Sequence, residues 1–216
     1  MGGIYSFVGH AGYYVLGAAA FWGLYCVVIV WTRVAQKRFK TEAEQDLFLD
    51  QVEQHLRQGD FGSVETTCDG DLRAVPMMVS LAVKNRNLES EKLESWVMDR
   101  FQFDVLSDIE SRINWISTLI KASPMLGLIG TVAGMMGAFE TLETATAEEP
   151  TKKLLADIRM ALEHTLIGLL ITVTLLTAMA FINNRIRQLE ELAVFGMNRF
   201  FDELRAAQQP RKFRAK

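Results

Sequence analysis

The chain is poor in everything that would build a disulfide or metal scaffold. Its 216 residues include two cysteines, Cys26 inside an apolar run and Cys68 in a polar one, and no Cys/His cluster has metal-ligand spacing. No disulfide framework, metal site or cofactor is expected. The net charge is −3, and this lack of bulk basicity argues against nucleic acid as a partner. Neither paired acids nor a nucleophile–base arrangement marks an enzyme. Lys and Arg are absent before the first long apolar run, and no small-residue cleavage site accompanies it. That argues against a cleaved signal peptide, and a retained anchor is expected.

What is present is a set of long apolar blocks between charged segments, half the residues being apolar and 23% charged. Ala11 to Trp31 carries no charge and matches the about 20 apolar residues that cross a bilayer. Tyr13 and Tyr14 near one end and Trp31 at the other sit where amphipathic rings favour the interfaces. A second run, Ile113 to Phe139, has one charge, Lys121, near its start. A third, Met160 to Ile182, is interrupted only by Glu163 and His164 in its first turns. The expected fold is therefore all-α: three transmembrane helices with long helical extensions in the cytoplasm.

Orientation follows from Lys and Arg, which stay cytoplasmic near span ends. Arg33, Lys37, Arg38 and Lys40 follow the first span, and a basic series from Arg185 to Lys216 follows the third. The expected order is a periplasmic amino terminus (1–10), span one (11–32), a cytoplasmic helical domain (33–112) and span two (113–141). A periplasmic loop (142–158), span three (159–183) and a cytoplasmic helix with a basic tail (184–216) complete it.

The insertion reads as helical. Thr41 and Glu44 form a capping box ahead of Leu47, Phe48, Val52 and Leu56, and Gly59 is placed to end that helix. A short helix around Val64 to Cys68 and another after Pro76 follow. From Glu89 onward Leu93, Val97, Phe101, Val105, Ile109 and Ile113 recur at helical spacing, with neither Pro nor Gly before Pro124. The second span is thus expected to be the far end of one long helix, and the third to continue past Arg185 to Leu204.

Ser123, Gly127, Gly130, Gly134 and Gly137 are separated by four, three, four and three residues. At about 100° per residue they share one narrow stripe. Ala161, Thr165, Gly168 and Thr172 form a second stripe on the third span. Small residues let helix backbones approach closely where lipid provides no hydrophobic drive. The stripes imply two tight interfaces, one interface plus a lined pore, or packing of the chain's own helices. Thr131 flanks the first stripe and Thr165 lies in the second. A threonine hydroxyl can bond its own helix backbone, but a pair on close-packing faces is harder to assign to that alone. Neither Ala11 to Trp31 nor Ile113 to Phe139 has an Asp or Glu, so any moved ion needs its central acid from another chain.

SPMLGLIGTVAGMMGAF (Ser123 to Phe139, with Ser123-Pro124 at its head) resembles the first membrane signature of the ExbB/TolQ/MotA proton-channel family. ALEHTLIGLLIT (Ala161 to Thr172) resembles its second, and HLRQGDFGSVETTC (His55 to Cys68) its cytoplasmic region. Three spans point to the ExbB/TolQ branch. The resemblance implies a homopentameric ring in a bacterial inner membrane, around two copies of a single-span ExbD-, TolR- or MotB-like partner that carries a membrane aspartate. The ion moved is a proton, with sodium as the alternative. Thr131 and Thr165 match the family's pore-lining positions, with Thr172 further along the same face.

The chain departs from that pattern once, with Met160 where the branch has a glutamate five residues before the third-span threonine. Glu163 lies about 60° around the helix from Met160 and is a candidate outer-mouth carboxylate. It points about 160° from Thr165, so it can meet the first span or a neighbouring subunit but not that threonine's face. The expected function is a subunit of an ion-driven motor. A non-conducting membrane scaffold with the same packing is the alternative.

Overall fold

Every described residue that belongs to a regular element is helical. The computed structural model describes residues 2–144 and 150–208. The elements are α1 (Gly2–Lys37), α2 (Glu42–Gln58), α3 (Phe61–Cys68), α4 (Ala74–Lys84), α5 (Ser90–Phe101), α6 (Ser107–Thr144) and α7 (Pro150–Gln208). Helices α1, α6 and α7 each contain an apolar stretch long enough to cross a membrane. The chain divides into two compact units. Residues up to 29 and 112–182 form a span unit, and residues 30–111 with those from 183 onward form a polar unit.

The caps of the polar unit are written in its sequence. Thr41 Oγ1 accepts from the Glu44 amide at 3.3 Å, and the Glu44 carboxylate accepts from the Lys40 amide at 3.2 Å. Gly59 ends α2 at φ 77°, a left-handed conformation that suits glycine. Asp60 then caps α3 by accepting from the Ser63 amide and hydroxyl, and those bonds hold its carboxyl below the usual range. Helix α4 begins two residues before Pro76, not after it. The first turn of a helix has unpaired N–H groups in any case, so a proline there removes nothing.

Between α5 and α6 the helix widens into a π turn, Gln102–Leu106, so the expected long helix is continuous but not uniform. The cause lies in the apolar spacing. Leu93, Val97, Phe101, Val105 and Ile109 recur every four residues, and in an α-helix each such step drifts by about 40°. A turn with i→i+5 bonding takes up part of that drift. All five side chains are buried as a result.

Side chains from α2 to α5 and from α7 beyond residue 183 close a core around Leu49, Leu56, Met78, Leu93, Met197 and Phe200. Gln45, also buried, donates from Nε2 to the Leu192 carbonyl at 2.7 Å. It can do so because Gly196 leaves no side chain in the way: a Cβ there would stand 2.7 Å from that nitrogen. Arg199 holds Asp46, Asp50 and Glu53 of α2 at 3.3, 2.5 and 2.6 Å. Cys68 is buried within this unit, and burial, then the Asp71 carboxylate, pushes its thiol up to about 12. It is an inert thiol at neutral pH.

The helices run on past two of the expected span ends. Residues 2–10 are already helical, and so are 142–144 and 150–158 of the expected periplasmic loop. Pro150 is the first residue of α7, where its fixed φ suits a helix start. The middle of that loop (145–149) and the basic tail (209–216) lie outside the described residues.

Asp71 and Arg73 make the polar unit acid-sensitive. Burial alone would raise the Asp71 carboxyl, but Arg73 donates to it from its backbone amide at 2.9 Å and from its guanidinium at 2.5–3.0 Å, and the net effect is a lowered pKa. The unfolded value is about 3.9, so this stabilisation is complete above that pH and is lost as pH falls through the lower folded value. In mild detergent the unfolding temperature should drop between about pH 5 and about pH 3. Asp71→Asn should start lower at neutral pH and show a flatter acid limb, as read by circular dichroism. An unchanged slope in the variant would remove Asp71 from this account.

Candidate functional site

Helices α6 and α7 meet along their small residues, so the two stripes face each other within one chain. An ideal Cβ on Gly168 would lie 2.6 Å from the Ser123 carbonyl oxygen, and one on Gly127 2.9 Å from the His164 carbonyl oxygen. On Gly130 it would lie 2.6 Å from the His164 ring, and on Gly134 2.7 Å from the Ala161 Cβ. Each glycine is therefore a place where one helix occupies the volume of a missing side chain on the other. Ser123 is fully buried and its hydroxyl donates to Leu119 O at 2.7 Å, while Gly137, half-buried, continues the stripe toward the end of α6. Gly127, Gly130, Gly134 and Gly168 thus pack against the chain's own helices.

This close approach brings the hydroxyls of Thr131 and Thr165 into direct contact across the seam. Thr131 Oγ1 also lies 3.1 Å from Gly127 O on its own helix and 3.2 Å from Ala161 O on α7. Thr165 Oγ1 lies 3.3 Å from Gly127 O. Two hydroxyls have two protons, so one donates to the other and the second to a carbonyl. Both are half-buried.

Thr172 lies further along the seam, for a reason set by Pro124. Proline has no N–H, which removes the helix partner of the Ile120 carbonyl four residues earlier. Thr172 Oγ1 reaches across from α7 to that oxygen at 3.4 Å while also bonding Gly168 O at 2.9 Å. A carbonyl without a partner in hydrocarbon costs several kcal/mol, and a hydroxyl from a neighbouring helix is one way to satisfy it.

Glu163 is on another face, as its phase requires. Its carboxylate accepts from Arg159 Nε at 2.8 Å and from the Tyr13 hydroxyl at 2.9 Å, which ties α1 to α7. Next to it is a residue that the sequence reading passed over. His164 is fully buried, its ring 4.1 Å from that of Tyr13. Its Nδ1 lies 2.7 Å from Met160 O and, since a carbonyl only accepts, carries the hydrogen. A histidine within an apolar run was the available signal. That Gly12 and Gly130 would meet around its ring was not visible, because they are 118 residues apart in the chain.

Three long apolar helices with a polar seam between two of them define a multi-pass membrane protein. The sequence pattern of the MotA/TolQ/ExbB proton channel family matches residues 75–194, more than half of the chain, and the chain belongs to that family. The matched stretch contains Thr131, Thr165 and the whole seam. No curated protein matches the chain at a significant level.

The seam separates two kinds of glycine. Gly168→Ala forces a methyl group to within 2.6 Å of backbone oxygen and should cost about 1–3 kcal/mol. Gly17→Ala meets nothing within 4 Å and should be neutral or stabilising by up to about 1 kcal/mol. Unfolding midpoints of the two variants in one detergent test the contrast. Equal effects would show that the seam does not set stability.

Proposed function

We propose that this chain is the pore-forming, stator-type subunit of a proton-driven membrane motor of the ExbB/TolQ kind, energising a periplasmic or outer-membrane process. The hydroxyl pair carries the reading: Thr131 and Thr165 touch across a seam that lies wholly inside the stretch matched by a proton channel family. The distribution of acids in the chain supports it. No Asp or Glu occurs in Ala11 to Trp31 or in Ile113 to Phe139, and Glu163 in the third run is bound by Arg159 and Tyr13. Five copies around two single-span ExbD/TolR-like partners, each bringing a membrane aspartate, supply what this chain lacks. In this reading Thr131, Thr165 and Thr172 line the proton's route, and Glu163 stands at the outer mouth, its bonds favouring the tying of α1 to α7 over service as an ion station.

A specific observation favours the second reading, a non-conducting scaffold. Thr131 and Thr172 each bond the carbonyl four residues earlier in their own helix, which a purely structural threonine also does. Valine separates the two. Thr131→Val and Thr165→Val keep the shape and lose the hydroxyl, at a stability cost of about 1 kcal/mol each. Co-reconstituted with the single-span protein from a neighbouring gene, both variants should assemble and yet show strongly reduced proton uptake by vesicles under an imposed membrane potential. Normal uptake in both would leave the scaffold.

The orientation has its own test. The basic residues after the first and third spans support a cytoplasmic polar unit, with the amino terminus outside. A cysteine at exposed Glu143 should react with an impermeant maleimide on intact cells, and one at exposed Gln58 only after the inner face is opened. The native cysteines are both buried and give little background. The reverse pattern would overturn the orientation.

A further inference from the structure

We propose that His164 is a positioning residue for the Thr131–Thr165 hydroxyl pair, and that α1 acts on that pair through the imidazole. This rests on the pair being the working site. Three helices meet at the ring. On α1, a Cβ at Gly12 would lie 2.8 Å from Nε2, and the Tyr13 ring stacks at 4.1 Å. On α6, a Cβ at Gly130 would lie 2.6–2.7 Å from Cγ, Cβ and Cδ2. On α7 itself, Nδ1–H donates to Met160 O. The ring fills a slot that exists because both flanking positions are glycine.

The slot fixes the geometry next to it. Gly130 touches the His164 side chain, and its neighbour in sequence is Thr131. Gly127 touches the backbone of both His164 and Thr165. The imidazole therefore sets how far α7 stands from α6, and about which phase, at the turn where the two hydroxyls meet. A leucine would fill such a slot without the cost of burying a polar ring. The imidazole has a property leucine lacks: the Nδ1–H bond to Met160 O fixes the plane of the ring, and so fixes where Gly12 meets its Nε2 and Cδ2 and where Gly130 meets its Cγ and Cδ2. Tyr13 completes the connection to α1, since the same residue that stacks on the ring bonds Glu163 through its hydroxyl.

Cysteine pairing reads the geometry without any ion flow. In membranes holding the full assembly, Thr131→Cys with Thr165→Cys should form a disulfide under mild oxidation. Adding His164→Ala should slow that reaction at least tenfold. Adding His164→Asn, whose amide can keep the bond to Met160 O, should restore most of the rate, and His164→Leu, equal in bulk but without the donor, should not. Gly130→Ala, whose methyl would lie 2.6–2.7 Å from Cγ, Cβ and Cδ2 of His164, should also slow it. Parent-rate cross-linking in His164→Ala, or equal rates for the Asn and Leu variants, would each overturn the proposal. Failure of the motor reading has a separate signature, normal proton uptake in Thr131→Val and Thr165→Val whatever the cross-linking shows.

Discussion

Contact between the backbones of α6 and α7, with glycine in place of side chains, is the constraint on which the rest of the span unit depends. Water drives the burial of apolar groups in a soluble core, but lipid tails are as apolar as leucine and give helices no such reason to associate. What remains is close van der Waals contact and hydrogen bonding between helices. Both need short distances, and Gly127, Gly130, Gly134 and Gly168 provide them. Once the backbones meet, Thr131 and Thr165 are brought together, and Thr172 can reach the carbonyl that Pro124 leaves without a helix partner. The large apolar side chains of α6 and α7, such as Ile129, Phe139, Leu166 and Val173, are left exposed on the outside of the unit.

The polar unit follows the opposite rule. Its helices are short and amphipathic, its apolar residues are drawn inward, and its charges pair at the surface. Arg199 with three carboxylates, Arg57 with Glu203 and Arg205 with Glu94 join α7 to α2 and α5. Exposed pairs of this kind contribute little each, a median of about 0–1 kcal/mol. The buried Gln45, whose amide reaches Leu192 O over Gly196, fixes the register of α2 against α7 more sharply, because a buried amide without its partner is costly. Glycine is used in both units: in the span unit it admits a neighbouring backbone and the His164 ring, and in the polar unit the Gln45 amide.

Chemistry in the span unit is sparse, and that is informative. A pathway for protons needs groups that exchange them, and the described seam offers hydroxyls and backbone carbonyls. Glu163, which lies off the seam, and His164 are engaged with α1 and with their own helix instead. The unit holds the hydroxyls of Thr131 and Thr165 in contact across the seam.

Sequence by itself determined the elements. Apolar runs of bilayer length, the Thr41–Glu44 box, Gly59 and the small-residue stripes are local patterns, and local backbone chemistry is enough to read them. The family was legible for the same reason, since its signatures are contiguous. The four-residue apolar spacing from Leu93 to Ile109 even contained the π turn, in a drift that a strict α-helix cannot absorb. Tertiary structure alone decided which surfaces those patterns served. The stripes could have faced another subunit, and in the structure they face each other. Glu163 could have met a neighbour, and it meets Tyr13 and Arg159. His164 looked like an interruption of an apolar run until Gly12 and Gly130 closed around it. Helical phase gives the direction in which a side chain points, but what it meets there depends on helices more than a hundred residues apart, whose approach is fixed only when all three pack.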